Sequence, residues 1–304
     1  MKLEVQGVAA LAVLCLASVA GPEARAQNWE DVEIESVELA PGVHMLTGRG
    51  GNLGLSAGED GVFLIDDQYA PLTEKIVAAI RSISDAPIRF VINTHWHGDH
   101  VGGNENLGKA GTLILAHDNV RARMSVEQFM AAFDRIVPPS PEAALPVVTF
   151  SESVTFHLNG YELRAFHVEN AHTDGDAIIR FRGANVVHMG DVYWSSAYPF
   201  IDYSAGGSID GVIAAVQRVL ATVDDDTKII PGHGPLSNKA ELGEYLGMLV
   251  GVRDAIVAEI AEGRSVEEVI AASPTAEWDE EWGEGYLNPE TFTRIVYAGL
   301  TWSK

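Results

Sequence analysis

The sequence predicts an α/β fold in which two sheets pack together with helices outside, and three features carry that expectation. Short β-rich segments between Val32 and Asp67 (VEIESVEL, GVHMLTG, NLGLSAG, GVFLIDD) are each broken by Gly, Pro or Asp, the pattern of an antiparallel meander. A β-α-β unit follows, because residues 71–82 (PLTEKIVAAIRS) place Pro first and Ile76, Ala79 and Ile80 at helical spacing, ahead of a buried strand at 88–93. Beyond the Pro-rich stretch 138–146 (PPSPEAALP) the same order of strands, helix and strand begins again. No repeat is visible in the residues themselves, so duplication is not inferred.

The remaining elements follow in order. Residues 112–116 read as a strand, 117–136 as a helix and 138–146 as a surface loop separating two halves of one domain. Strands are expected at 147–150, 153–158, 161–168, 176–182 and 185–190, then a helix near 208–223, a strand at 227–231 and further helices to about 272. The tail, 277–304, mixes acidic residues with Trp278, Trp282, Tyr286, Phe292, Tyr297 and Trp302 and reads as a packed cap. With 304 residues, 47% of them hydrophobic, the chain can bury a large core and reads as one globular domain or two fused halves.

Residues 7–21 (GVAALAVLCLASVAG) form an apolar run after Lys2, and Ala24-Arg25-Ala26 supplies a small-x-small cleavage site. Residues 1–26 are therefore expected to be a signal peptide and 27–304 the mature domain, periplasmic or secreted. The run falls short of the ~20 apolar residues of a spanning helix, so no membrane association is expected after cleavage. Cys15, the only cysteine, lies inside the run, which leaves the mature chain without a thiol or a disulfide. Cleavage removes Lys2, Arg25, Glu4 and Glu23 and leaves the net charge at −23, a field that repels nucleic acid and anionic membrane surfaces.

The chemistry is concentrated in Thr94-His95-Trp96-His97-Gly98-Asp99-His100, where four metal-ligand types follow directly on a strand. Imidazoles two apart on an extended segment point the same way, so His95 and His97 can share one metal while Asp99 and His100 turn toward a second. Gly98 and the pair Gly102-Gly103 are expected to permit the tight backbone of that turn. Three further donors stand where strands are expected to end: His172, Asp191 and His233. His44, His117, His157, His167 and His188 lack a neighbouring donor and read as structural. Asp66 and Asp67 could hydrogen-bond a ligating histidine from behind. Tyr193, Trp194, Tyr198, Phe200 and Tyr203 read first as core, with a cleft wall as the alternative.

In this order HWHGDH, AHTDGD, HMGDVYW and PGHGP resemble the metallo-β-lactamase superfamily over nearly the whole mature chain. The resemblance implies a four-layer αββα sandwich with a binuclear metal cleft on one edge. It assigns His95, His97 and His172 to the first metal, Asp99, His100 and His233 to the second, and Asp191 to a bridge between them. Nitrogen and oxygen ligands suit two zinc ions, although iron and manganese accept the same set. Two zinc ions bring +4, Asp99 and Asp191 remove two units, and water between them is acidified toward hydroxide; Asp99 is the expected catalytic residue that orients it. The expected reaction is hydrolysis of an amide, ester or thioester in a small-molecule substrate.

Asp191 and His100 make the set more like glyoxalase II than like the β-lactamases that carry cysteine at the position of Asp191. Export, in contrast, favours an environmental substrate such as a β-lactam or a lactone. Val192-Tyr193-Trp194 lacks the lysine with which those β-lactamases bind the substrate carboxylate. The resulting expectation is a β-lactamase-like hydrolase, with a lactonase or a glyoxalase II-like thioesterase as alternatives. A reading of another class is an iron-binding redox protein or a metal-binding protein without turnover. The sequence does not indicate an oligomeric state.

Overall fold

The computed structural model of the protein describes residues 28–302. The signal peptide expected at 1–26, Cys15 included, lies outside the described residues. The contacts divide the chain between Asp31 and Val32. Ahead of that point Asn28–Asp31 form a short turn in which the Glu30 N–H donates to Asn28 Oδ1 at 3.2 Å.

The first sheet begins with β1 (Glu35–Ala40), β2 (Val43–Thr47), β3 (Leu53–Gly58) and β4 (Gly61–Ile65), paired antiparallel in chain order. Helix α1 (Thr73–Ile83) carries the chain back, so β5 (Ile88–Ile92) lies parallel to β4. The short helices α2 (Gly98–Val101) and α3 (Asn104–Lys109) lead into β6 (Leu113–His117), parallel to β5. Next come α4 (Asp118–Met124) and a hairpin of β7 (Gln128–Met130) and β8 (Arg135–Val137). The sheet is completed by β9 (Val148–Phe150), parallel to β6.

In the second sheet β10 (Ser153–Leu158), β11 (Tyr161–His167), β12 (Ala177–Arg182) and β13 (Val186–His188) are antiparallel neighbours. Helix α5 (Ile209–Leu220) then delivers β14 (Lys228–Ile230) parallel to β13. The chain ends in α6 (Lys239–Ala261), α7 (Val266–Ala271), α8 (Asp279–Trp282) and α9 (Pro289–Thr301).

Strand alternation decides the layering. Phe63, Ile65, Ile92, Leu115 and Phe150 of the first sheet meet Leu163, Ala165, Ile179, Phe181 and Ile230 of the second in one buried cluster between the sheets. The opposite side of the second sheet, with Ile178, Val187 and Ile229, packs on Val212, Val216 and Val219 of α5 and on Leu249 and Val252 of α6. On the outer side of the first sheet, Ile76 and Ile80 of α1 are buried. Helix, sheet, sheet and helix thus form the expected αββα sandwich. Helix starts are fixed by side chains: Ser208 caps α5, Asn238 caps α6, Ser265 and Glu268 form a capping box on α7, and Asn288 caps α9 ahead of Pro289.

Two expectations change. The helix expected over 117–136 stops at Met124, and a hairpin replaces its second half. Val126, Phe129, Phe133 and Ile136 stand three or four residues apart like one helical face, yet they are 55%, 53%, 37% and 61% exposed. With no core to cover, that stripe does not stabilise a helix. Asp134 turns the hairpin with φ 47, and Arg123 Nη1 donates to Gln128 Oε1 at 2.9 Å at its base. Also, β9, expected with the second half, belongs to the first sheet, so the two halves divide between Phe150 and Ser153.

The C-terminal cap packs through Trp282, Phe292, Ile295 and Val296, with the Tyr198 and Phe292 rings stacked at 4.5 Å, while Tyr286 and Trp302 stay exposed. Among the described residues no helix is long and apolar enough to cross a membrane. Phe181 is fully buried between the sheets. Phe181→Ala is expected to cost about 3–5 kcal/mol through lost burial and the remaining cavity. Urea denaturation should show a lower midpoint with an unchanged slope.

Candidate metal centre

The loops that follow β4, β5, β11, β13 and β14 meet at one edge of the sandwich. The loop after β5 supplies His95 and His97, and α2 adds Asp99 and His100. His172 follows β11, Asp191 sits in a single 3-10 turn after β13, and His233 follows β14. All seven predicted donors are brought together. His95, His97, His172 and Asp191 form one group and Asp99, His100 and His233 another, and within each group the ligand atoms lie within 4.8 Å of one another.

Close backbone approach makes this possible. A Cβ on Gly51 would lie 2.1 Å from the His100 ring, and one on Gly232 would lie 2.1 Å from Asp191 Oδ1. Gly102 and Gly103 serve the turn by the same means, since a Cβ there would meet backbone oxygens of the Asp67–Gln68 segment at 2.6–2.8 Å. Gly98, expected to share that role, has open space around its Cβ position.

Hydrogen bonds from outside the cluster orient the imidazoles. His100 Nδ1–H donates to Asp66 Oδ2 at 2.8 Å, His97 Nε2–H to Asp202 Oδ2 at 3.0 Å, and His172 Nδ1–H to the Phe200 carbonyl at 2.7 Å. Thr94 Oγ1 donates to Asp66 Oδ2 at 2.7 Å, which leaves it to accept from His95 Nδ1–H at 3.0 Å. In each neutral ring the other nitrogen is then an acceptor. In His97 and His172 those acceptors meet, His97 Nδ1 lying 2.8 Å from His172 Nε2, and the Nε2 atoms of His100 and His233 are 3.4 Å apart. His95 Nε2 and Asp191 Oδ1 are buried with no hydrogen-bond partner, although His100 Nε2 lies 3.0 Å from the latter. Lone pairs turned toward one another away from water require protons or cations among them. The donor set therefore fits metal ions.

The electrostatics divide the cluster. Burial, reinforced by the charge on His100, holds His95 well below the usual histidine value, and burial brings His172 down to about 4. At His233 burial opposes the charge, but Asp191 and Asp99 prevail and raise it to about 9; at His100 burial is overcome by Asp191, Asp99 and Asp66. Burial pushes Asp99 upward, yet His100 and His233 draw it down to about 2. Without metal, the carboxylates thus retain protons on His100 and His233, while His95 and His172 stay neutral.

Of the two carboxylates expected behind the cluster, Asp66 holds His100 directly and His95 through Thr94. Asp67 instead fixes the loop, accepting the Gly103 N–H at 2.8 Å. Sequence reasoning missed Thr94 and Asp202. Asp202 is a carboxylate among aromatic neighbours in the segment Tyr198–Tyr203, a setting that itself calls for a buried partner. His188 is buried beneath the site against the Asn52 carbonyl, and His117 and His167 stack on each other at 3.8 Å outside the cluster. Tyr193 and Tyr198 are core, whereas Phe200 and Trp194 pack beside His97 and His233, at 5.6 and 4.2 Å.

Fold and cluster together define a metal-dependent hydrolase of αββα architecture. The model of the metallo-beta-lactamase superfamily matches residues 46–233, and the chain belongs to that superfamily. It is 25% identical over 162 residues to a hydroxyacylglutathione hydrolase of Haemophilus influenzae, covering 53% of this chain and 75% of the relative. To the metallo-beta-lactamase type 2 of Bacteroides fragilis it is 22% identical over 202 residues, covering 63% and 74%. The solved metallo-beta-lactamase from Pontibacter korlensis superposes with a TM-score of 0.59 at 20% identity, over 71% of this chain and 99% of that one.

Asp66→Ala is expected to weaken metal binding about 10- to 100-fold, read by competition with a chelating dye; unchanged affinity would remove Asp66 from its supporting role. A second expectation concerns pH. In metal-stripped protein the folded value of His233, about 9, exceeds the unfolded value. Its stabilising contribution is then complete below the unfolded value of ~6.5 and lost as pH rises to ~9. The melting temperature of stripped protein should fall across that window and that of metal-loaded protein should not.

Proposed function

We propose that this chain is an exported hydrolase that uses two zinc ions to open a carbonyl bond (amide, ester or thioester). A β-lactam is the leading substrate class. What carries the reading is the convergence of imidazole nitrogens and carboxylates, with His95, His97, His100 and His172 each held from behind. His95, His97 and His172 would hold the first ion, and Asp99, His100 and His233 the second. Asp191 suits a bridge because its Oδ2 lies 3.6 Å from His172 Nε2 and 3.4 Å from His233 Nε2, one ligand from each group. Zinc suits a site rich in imidazole with no thiolate.

Bound there, two divalent cations acidify water and polarise a carbonyl oxygen. The chain's own part falls to Asp99. Its Oδ2 lies 3.3 Å from His233 Nε2, and its side chain is 22% exposed against 4% for Asp191, so Asp99 is the carboxylate that an entering water meets. Kept ionised by His100 and His233, it accepts a hydrogen bond from that water and orients its lone pair toward the carbonyl carbon.

The similarity to a hydroxyacylglutathione hydrolase, with the pairing of Asp191 and His100, supports a thioester as the second reading. A lactone is the third. The apolar run at residues 7–21 supports export, and mass spectrometry of protein from the periplasm or medium should find Gln27 as the first residue.

The decisive experiment is a panel of a chromogenic cephalosporin, a lactone and a thioester on zinc-loaded mature protein, with metal analysis and His97→Ala as the blank. We expect turnover of at least one substrate, loss to background in His97→Ala and on chelation, and recovery with zinc. Bound iron without any hydrolysis would overturn the reading, as would full turnover by His97→Ala.

A further inference from the structure

The apolar residues that looked like a helical face end beside the metal centre. Phe133, at the tip of the β7–β8 hairpin, lies 4.8 Å from the Phe200 ring, and Phe200 lies 5.6 Å from His97 and 5.7 Å from His172. On its other side Phe133 lies 6.1 Å from Tyr286, Tyr286 lies 5.9 Å from Trp194, and Trp194 packs 4.2 Å from His233. One line of rings rises from each group of ligands, and the two lines meet at Phe133 and Tyr286. Phe200 and Trp194, at the feet, are buried, whereas Phe133 and Tyr286, at the crown, are exposed. These separations suit aromatic pairs, and exposed apolar surface joined to a polar centre marks a place for ligand.

The hairpin is also tied to the cluster by hydrogen bonds. The Ala131 N–H donates to Ser204 Oγ at 3.1 Å, Ser204 Oγ donates to Asp202 Oδ1 at 2.6 Å, and Asp202 Oδ2 receives His97 Nε2–H. Its tip is thus held in register with the metal centre. Arg135 follows directly after the Asp134 turn, is exposed and forms no ion pair among the described residues. Tyr69, pushed up to about 12 by burial and then Asp99, and Tyr286, raised by the same two causes, are both drawn down by Arg135. Arg135 opens β8 opposite Met130, two residues on from Phe133, and so adds a cation to the hairpin tip of a chain with net charge −23.

We infer that the hairpin tip and Tyr286 form the substrate-selecting arch of this centre: Phe133 and Tyr286 hold a flat apolar group, and Arg135 holds a carboxylate on the same substrate. The inference rests on the hydrolytic reading and narrows it to aryl-bearing carboxylates. Such a molecule would place its carboxylate where the lysine absent after Asp191 cannot.

The test measures binding, so it does not depend on turnover. 2-Naphthoate, 2-naphthamide and acetate are titrated calorimetrically into zinc-loaded wild type, Phe133→Ala and Arg135→Gln. Wild type should bind 2-naphthoate about tenfold more tightly than either comparator. Phe133→Ala should lose about tenfold for both naphthyl compounds and nothing for acetate, and Arg135→Gln should bring the naphthoate down to the amide. Both residues are exposed, so circular dichroism and zinc content should match wild type. Unchanged naphthoate binding by Phe133→Ala, or a naphthoate preference that survives Arg135→Gln, would overturn the arch. Wild type that shows the expected binding but cleaves no carbonyl substrate would sink the hydrolytic reading alone. Cleavage that proceeds with naphthoate binding indifferent to Phe133 would sink the arch alone.

Discussion

Everything at this edge depends on one electrostatic constraint: imidazole nitrogens and carboxylate oxygens face one another, with His95, His97, His100, His172 and Asp191 buried and Asp99 and His233 at the opening. Asp66, Asp202 and the Phe200 carbonyl fix which nitrogen of His100, His97 and His172 carries hydrogen, because each of them can only accept. The inward nitrogens of His97 and His172 are thereby committed as acceptors before any ion arrives, whereas His100 gives up a proton to receive one. A buried set of this kind is costly when left unfilled, and filling it links metal affinity to the stability of the whole fold.

The sandwich meets this demand by ending its parallel strands at one edge. β4 and β5 end at Asp66 and at the loop of His95, and β13 and β14 end at Asp191 and His233, so both sheets contribute to the same few ångströms. Asn52 closes the seam, its side-chain amide donating to the carbonyls of Pro231 and Gly234 at 3.0 and 2.9 Å. Packing between sheets and geometry at the centre are therefore coupled. Asp66 and Gln68 adopt φ of 58 and 54, conformations that non-glycine residues rarely take, in the segment that supports His100.

Much of this was legible in the sequence because the signals were local. Alternation revealed β10 to β13, Pro71 with Ile76 and Ile80 revealed α1, and the close spacing of His95, His97, Asp99 and His100 was unmistakable as chemistry. What escaped was non-local. Val126, Phe129, Phe133 and Ile136 satisfy helical spacing, and only the absence of a facing core shows that they do not build a helix. Asp202 is joined to His97 across 105 positions of sequence, and Thr94 acts through a hydroxyl whose direction is set by Asp66. Spacing can show that residues carry donors, but not which carboxylate stands behind which imidazole.

An acidic surface and a centre loaded with two divalent cations would be compatible because they act over different distances. Charges on the exposed face are screened within about 8 Å at physiological ionic strength, whereas partly buried charges are screened much less. A polyanion lying across the surface would meet repulsion at many points. A small anion entering at Arg135 would meet one arginine and the cluster behind it. A fold loaded in this way would resist nucleic acid and admit a carboxylate, and on the proposed arch the exposed rings of Phe133 and Tyr286 would then discriminate among small anions by the apolar group each one carries.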